Sequence, residues 1–73
     1  MITMKGGIYM LKISLKAARV NANLSQSAVA KQLKKNKQTI VNWENGKTVI
    51  DAANFAALCD LYKINPEYIL LPY

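Results

Sequence analysis

The residues best suited to chemistry fall between positions 24 and 46, in the stretch LSQSAVAKQLKKNKQTIVNWENG. Lys37, Gln38, Val41 and Asn42 crowd into one short helical pattern there. Such side chains suit the edges of nucleic-acid bases. Lysine can donate to guanine O6 and N7, glutamine and asparagine can pair with adenine N6 and N7, and valine can touch a thymine methyl. Each polar residue has a plainer reading as a solvated position on an exposed helix face. Val41 equally reads as an isolated exposed apolar residue.

Other chemistries lack their parts. The chain has no histidine, one cysteine and four acidic residues, so nothing forms a zinc site, a His-based acid–base pair or a catalytic constellation. An enzyme, a metal and a cofactor are therefore not expected. Cys59 stands in an alanine-rich helical run and reads as a small buried apolar residue rather than a reactive thiol.

Seventy-three residues suffice for one domain with one core, and 52% apolar content is ample for a folded chain. The formal charge of +6 favours a polyanionic partner, either nucleic acid or an anionic membrane surface. The membrane is the weaker reading. The lysines do not segregate onto one face of a long amphipathic helix, and no apolar run approaches the roughly 18 residues of a membrane span. A single cysteine cannot close an internal disulfide, which fits a reducing cytoplasm.

Residues 1–9, MITMKGGIY, carry adjacent glycines and no helical period, unlike the sequence that follows. They read as a flexible leader that is not native to the domain. A purine-rich coding run for Lys5-Gly6-Gly7 would resemble a bacterial ribosome-binding site, with Met10 as the natural start. The alternative is a native N-terminal arm. Residues 10–73 are expected to form the folded domain.

Helical elements must position the 24–46 chemistry. Ser14 caps an expected first helix running to about Ala22, with Leu15, Ala18 and Arg19 on one face. Asn23 tolerates the left-handed backbone that ends a helix. Ser25 caps residues 26–33, whose inward positions are Val29, Ala30 and Leu33. After a Lys34-Lys35-Asn36 joint, Asn36 caps residues 37–45, with Ile40 and Trp43 inward and Gly46 as the stop. Asp51 caps residues 52–62, with Phe55, Leu58, Cys59 and Tyr62 on one face. Asn65-Pro66 opens an expected fifth short helix carrying Ile69 and Leu70.

This pattern resembles the Xre-type helix-turn-helix family, the DNA-binding domains of lambdoid phage repressors and Cro proteins. The resemblance rests on Arg19, Leu24-Ser25-Gln26, Ala30, Leu33, Thr39-Ile40, Trp43-Glu44, Gly46 and the closing Asn65-Pro66-Glu67-Tyr68-Ile69-Leu70. It runs without a gap from Arg19 to Gly46 and covers about residues 15–71. It implies an all-α, compact five-helix domain of the lambda-repressor-like type. It also implies that the first helix of the two-helix unit braces across phosphates while the second enters the major groove.

By that correspondence Lys37, Gln38, Val41 and Asn42 are the base contacts. Ser25 and Gln26 match the phosphate-binding start of the second helix, although Ser25 is also an ordinary N-cap. Asn45, Lys47 and Thr48 match the loop that clamps the backbone, and Thr39 is either a further phosphate contact or a local helix residue. Arg19 and Glu44 match a structural salt bridge between the first and third helices.

The chain departs from the family pattern in three places. Lys34-Lys35 stands where the joint usually has glycine and an apolar residue, Lys63 replaces a second glycine, and Ile50 replaces the usual proline before the fourth helix. A lysine in a left-handed turn costs about 1 kcal/mol relative to glycine. The departures predict a looser domain or additional phosphate contacts.

The expected function is a prokaryotic or phage transcriptional regulator binding double-stranded DNA as a homodimer, with Tyr68, Leu71 and Tyr73 as candidate dimer contacts or mere core cover. The alternative is a modulator, antirepressor or antitoxin acting through a partner repressor or toxin.

Overall fold

The computed structural model describes residues 11–73, so the 1–9 leader and the Met10 start lie outside the described residues. Four α-helices follow in order: α1 (Leu15–Asn21), α2 (Gln26–Leu33), α3 (Lys37–Glu44) and α4 (Ala52–Tyr62), then a 3-10 turn at Pro66–Tyr68. No strand occurs among the described residues; Ile13 and Ile69 form one isolated parallel β-bridge.

Local chemistry sets the first three helix starts. Ser14 accepts from Ala17 N–H, Ser25 from Ala28 N–H and Asn36 from Thr39 N–H, each satisfying a donor that the helix itself leaves unpaired. Asp51 differs from the expected cap. Its backbone is extended at the N-cap position, but its carboxylate accepts from the Asn54 side-chain amide and caps no backbone N–H. Left-handed residues sit at Asn23 (φ 61°), Lys34 (φ 57°), Lys63 (φ 56°) and Gly46 (φ 74°). Both lysines that stand in place of glycine therefore take the glycine-like backbone, with the strain that a Cβ brings there.

Five helices were expected; four form. Asn65 and Pro66 do start a turn, with Asn65 Oδ1 accepting from Glu67 N–H, but it stops after three residues. Ile69 is extended (φ −97°, ψ 129°) because the neighbouring backbone is claimed elsewhere. Ile13 N–H donates to the Tyr68 carbonyl at 2.8 Å, and Leu70 N–H donates to the Ile13 carbonyl at 2.8 Å. Groups paired across to Ile13 cannot continue a helix ladder. Ile69 is buried, whereas Leu70 is exposed.

The core gathers Leu15 and Ala18 of α1, Val29 and Ala30 of α2, Ile40 and Trp43 of α3, Leu58, Cys59 and Tyr62 of α4, and Ile50 and Ile69 from the loops. Small Ala30 permits close approach at the α2–α3 pair, which makes the most extensive helix contact in the fold. Leu33 and Phe55, expected inward, are only partly buried against this cluster. Full burial of a side chain such as Ile40 or Leu58 stabilises by about 1.5–3 kcal/mol. Ile40 and Trp43 thus fix which face of α3 turns inward, and so which face is left to water.

Candidate nucleic-acid interface

Because α3 buries Ile40 and Trp43, Lys37 and Gln38 are left exposed and Val41 and Asn42 half-buried. Gln38 and Asn42 are one helical turn apart, and Gln38 Nε2 donates to Asn42 Oδ1 at 3.0 Å. The pair still offers Gln38 Oε1 as acceptor and the remaining amide hydrogens as donors. Lys37 supplies a charge at the start of the same helix.

At the N-terminal end of α3 the Asn36 carboxamide is used twice: its Oδ1 accepts from Thr39 N–H at 2.9 Å and from Thr39 Oγ1 at 2.9 Å. The single hydroxyl hydrogen of Thr39 is therefore spent inside the cap. Ser25 differs. Its Oγ accepts from Ala28 N–H, which leaves the hydroxyl hydrogen free to donate outward.

Gln26, Arg19 and Glu44 form one network across three helices. Arg19 Nε donates to Glu44 Oε2 at 2.6 Å and Arg19 Nη2 to Glu44 Oε1 at 3.3 Å, while Arg19 Nη1 donates to the Leu24 carbonyl at 2.9 Å. Gln26 Nε2 donates to Glu44 Oε1 at 3.0 Å. The side chains of the ion pair are 10% and 4% exposed, low enough that loss of one partner would strand a buried charge. The Gln26–Glu44 bond had no signal in the sequence, since the two residues are 18 apart and either suits a surface.

Tyr62 completes this neighbourhood. Its hydroxyl is buried with no hydrogen-bond partner among the described residues. Burial, and after it the Glu44 charge, pushes its pKa up to about 12, against a smaller opposing pull from Arg19. Burial likewise raises the Cys59 thiol, with the Asp60 charge adding to it. A thiol held in its neutral form is a poor nucleophile.

The loop after α3 is tied back to the helix by its own backbone. Asn45 N–H donates to Val41 O at 3.0 Å, and Lys47 N–H to Asn42 O at 2.9 Å. The side chains of Asn45, Lys47 and Thr48 stand exposed. Charge separates along the chain in the same sense. Lys31, Lys34, Lys35, Lys37 and Lys47 are exposed on or beside α2 and α3, where the only acid is the ion-paired Glu44. Asp51, Asp60 and Glu67 all lie beyond residue 50, with Lys63 the only basic residue among them. The α2–α3 segment is thus strongly basic, and Lys12 and Lys16 before and in α1 are exposed as well.

Among the described residues there is no pocket and no cluster of three potential metal ligands. No described helix is long and apolar enough to cross a membrane. What this surface presents is a projecting helix with amide and ammonium groups, flanked by lysines.

No curated protein and no solved structure shows significant similarity to the chain. A family model for a helix-turn-helix domain, however, matches residues 13–73, which include all four helices and the 3-10 turn. The chain belongs to that helix-turn-helix domain family.

Proposed function

We propose that this chain is a sequence-specific DNA-binding transcriptional regulator of the Xre and Cro-like kind, prokaryotic or phage in origin, with residues 10–73 as its DNA-binding domain. The observation that carries the reading is the outward face of α3. Exposed Lys37 and a hydrogen-bonded Gln38–Asn42 pair lie on the helix that buries Ile40 and Trp43, in the basic α2–α3 segment.

In the major groove, Gln38 and Asn42 read bases as a coupled unit, Lys37 donates to guanine, and Val41 meets a thymine methyl. Ser25 donates its free hydroxyl hydrogen to a phosphate at the start of α2, where unpaired backbone N–H groups also point outward. Gln26, held at one amide hydrogen by Glu44, has the other available for the same phosphate. Asn45, Lys47 and Thr48 grip the backbone from the following loop by their side chains. Thr39 serves the α3 cap, since its hydroxyl is already committed to Asn36.

One α3 reads too few bases to specify a site alone, so a homodimer on a two-fold operator is expected, with half-sites about one helical turn apart. Tyr68 and Tyr73, both exposed, and half-buried Leu71 are the proposed dimer contacts. Selection from random oligonucleotides defines the operator, and titration of it at several salt concentrations tests the function. Wild type should bind with steep salt dependence, and Gln38→Ala should weaken operator binding about 10- to 100-fold, the loss of one good bidentate contact. Selection that yields no preferred sequence, together with absence of salt-dependent binding, would overturn the proposal.

A second reading, a modulator, antirepressor or antitoxin acting through a partner repressor or toxin, draws on Val49, Leu70 and Tyr73, which are 73%, 61% and 53% exposed. DNA binding only in the presence of a second protein would favour it.

A further inference from the structure

We propose that residues 71–73 act as a latch on the loop between α3 and α4, with Tyr73 as a positioning residue for the backbone-gripping side chains. The loop's task rests on the DNA-binding function proposed above; the latch itself rests on two contacts at opposite ends of residues 46–50.

At the far end, Tyr73 Oη accepts a hydrogen bond from Ile50 N–H at 2.9 Å, across 23 residues of sequence. At the near end, Pro72 lies directly on Gly46. A Cβ built on Gly46 would stand 3.1 Å from Pro72 Cβ and 3.2 Å from both Pro72 Cγ and the Pro72 carbonyl oxygen. Lys47 and Thr48 sit between these two grips.

The loop needs such help on its second half. Lys47 N–H is held firmly by Asn42 O, but Thr48 N–H reaches the same carbonyl only at 3.5 Å, and Val49 is 73% exposed. Between Thr48 and the buried Ile50 side chain, the Ile50 N–H bond to Tyr73 fixes the path of the backbone. The residues supplying the latch are themselves anchored. Ile69 is buried and bridged to Ile13, and Leu71 packs against the core. Tyr73 thereby ties the loop to the joined ends of the described chain.

Residue type is decisive at each contact. An N–H must be present at position 50, which isoleucine supplies and proline would not. Position 46 favours glycine, both for its positive φ and because a Cβ there would crowd Pro72. Tyr73 accepts through its oxygen and keeps its hydroxyl hydrogen.

The test uses the full chain with Tyr73→Phe, which keeps the ring and removes the oxygen, and Tyr73→Ala, which removes both. Hydrogen exchange of the Ile50 amide is measured in the free protein, with the Leu58 amide of α4 as internal reference. Tyr73→Phe should speed Ile50 exchange about 5-fold, as loss of one neutral hydrogen bond implies, and leave Leu58 unchanged. Tyr73→Ala should speed it further. At concentrations where sedimentation shows Tyr73→Phe self-associating as wild type does, operator affinity should fall about 3- to 10-fold, with a salt slope shallower by about one phosphate contact and a thermal midpoint lower by about 4–8 °C.

Unchanged Ile50 exchange in both variants overturns the latch. Faster exchange with unaltered operator affinity and salt slope overturns the positioning role. If wild type binds no DNA, the function proposed above fails and the loop's task with it. The Ile50 exchange rate then still decides whether Tyr73 holds the loop.

Discussion

The two ends of α3 are held by different kinds of interaction. Its N-terminal end is a local arrangement open to solvent: Asn36 caps Thr39 three residues on, and Lys34 and Lys35 turn the chain with their side chains in water. Its C-terminal end is gripped from elsewhere in the fold. Glu44 takes Arg19 from α1 and Gln26 from α2, Trp43 is buried, and Gly46 and Ile50 meet Pro72 and Tyr73. The difference makes a side chain costlier at one left-handed stop than at the other. At Lys34 a side chain has open water, whereas at Gly46 it would enter the space Pro72 fills.

The sharpest way to break this contrast is at Glu44. Glu44→Ala strands the Arg19 guanidinium and removes the acceptor for Gln26, and should destabilise by about 3 kcal/mol in urea melts followed by Trp43 fluorescence. Pairing it with Arg19→Ala should cost less than the sum of the single changes, because no lone charge is then buried. Strict additivity would show that the two residues do not act together.

The next test exchanges the two stops. Gly46→Ala should cost about 1–2 kcal/mol, from the left-handed φ and the crowding against Pro72. Lys34→Gly should stabilise by up to about 1 kcal/mol, since its φ of 57° carries the Cβ strain and the residue is exposed. Equal and opposite effects of the same size would mean that Pro72 adds nothing at Gly46.

The smallest effect is expected at Tyr62, beside the Glu44 network. Tyr62→Phe removes a buried hydroxyl that has no partner among the described residues, so stability near neutral pH should hold or rise by up to about 1 kcal/mol. The folded-state pKa of Tyr62 is raised from its ordinary 10.0 to about 12. The unfolded chain therefore loses this proton first. The favourable contribution is complete below pH 10 and drains away as pH rises through 12. Tyr62→Phe should lose less stability than wild type across that window; parallel curves would refute the assignment.

The same contrast describes what was legible in the chain beforehand. Ser14, Ser25 and Asn36 announce three helix starts, and Asn23 and Gly46 announce two left-handed stops, because each acts on backbone within a few residues. The inward faces carrying Leu15, Val29, Ile40 and Leu58 follow from helical spacing. The Xre-like resemblance pointed to Arg19 beside Glu44, and to the stretch holding the candidate base contacts. Asp51 misled, since its carboxylate had a side-chain alternative in Asn54. The fifth helix failed because its signal, Asn65-Pro66, starts a turn without saying how far it runs.

By itself, then, the sequence determined the four helices, the caps of the first three and the amide-rich outer face of α3. These depend on hydrogen bonds and apolar spacing within three or four residues, which the neighbouring residues decide alone. Only the tertiary structure decided that Ile13 would claim the backbone around Ile69, that Gln26 would bond Glu44, and that Tyr73 would reach Ile50. Each of those contacts joins segments far apart in the chain. Many polar groups compete for such partners, and the choice is made only when burial of the common core brings one pair within reach.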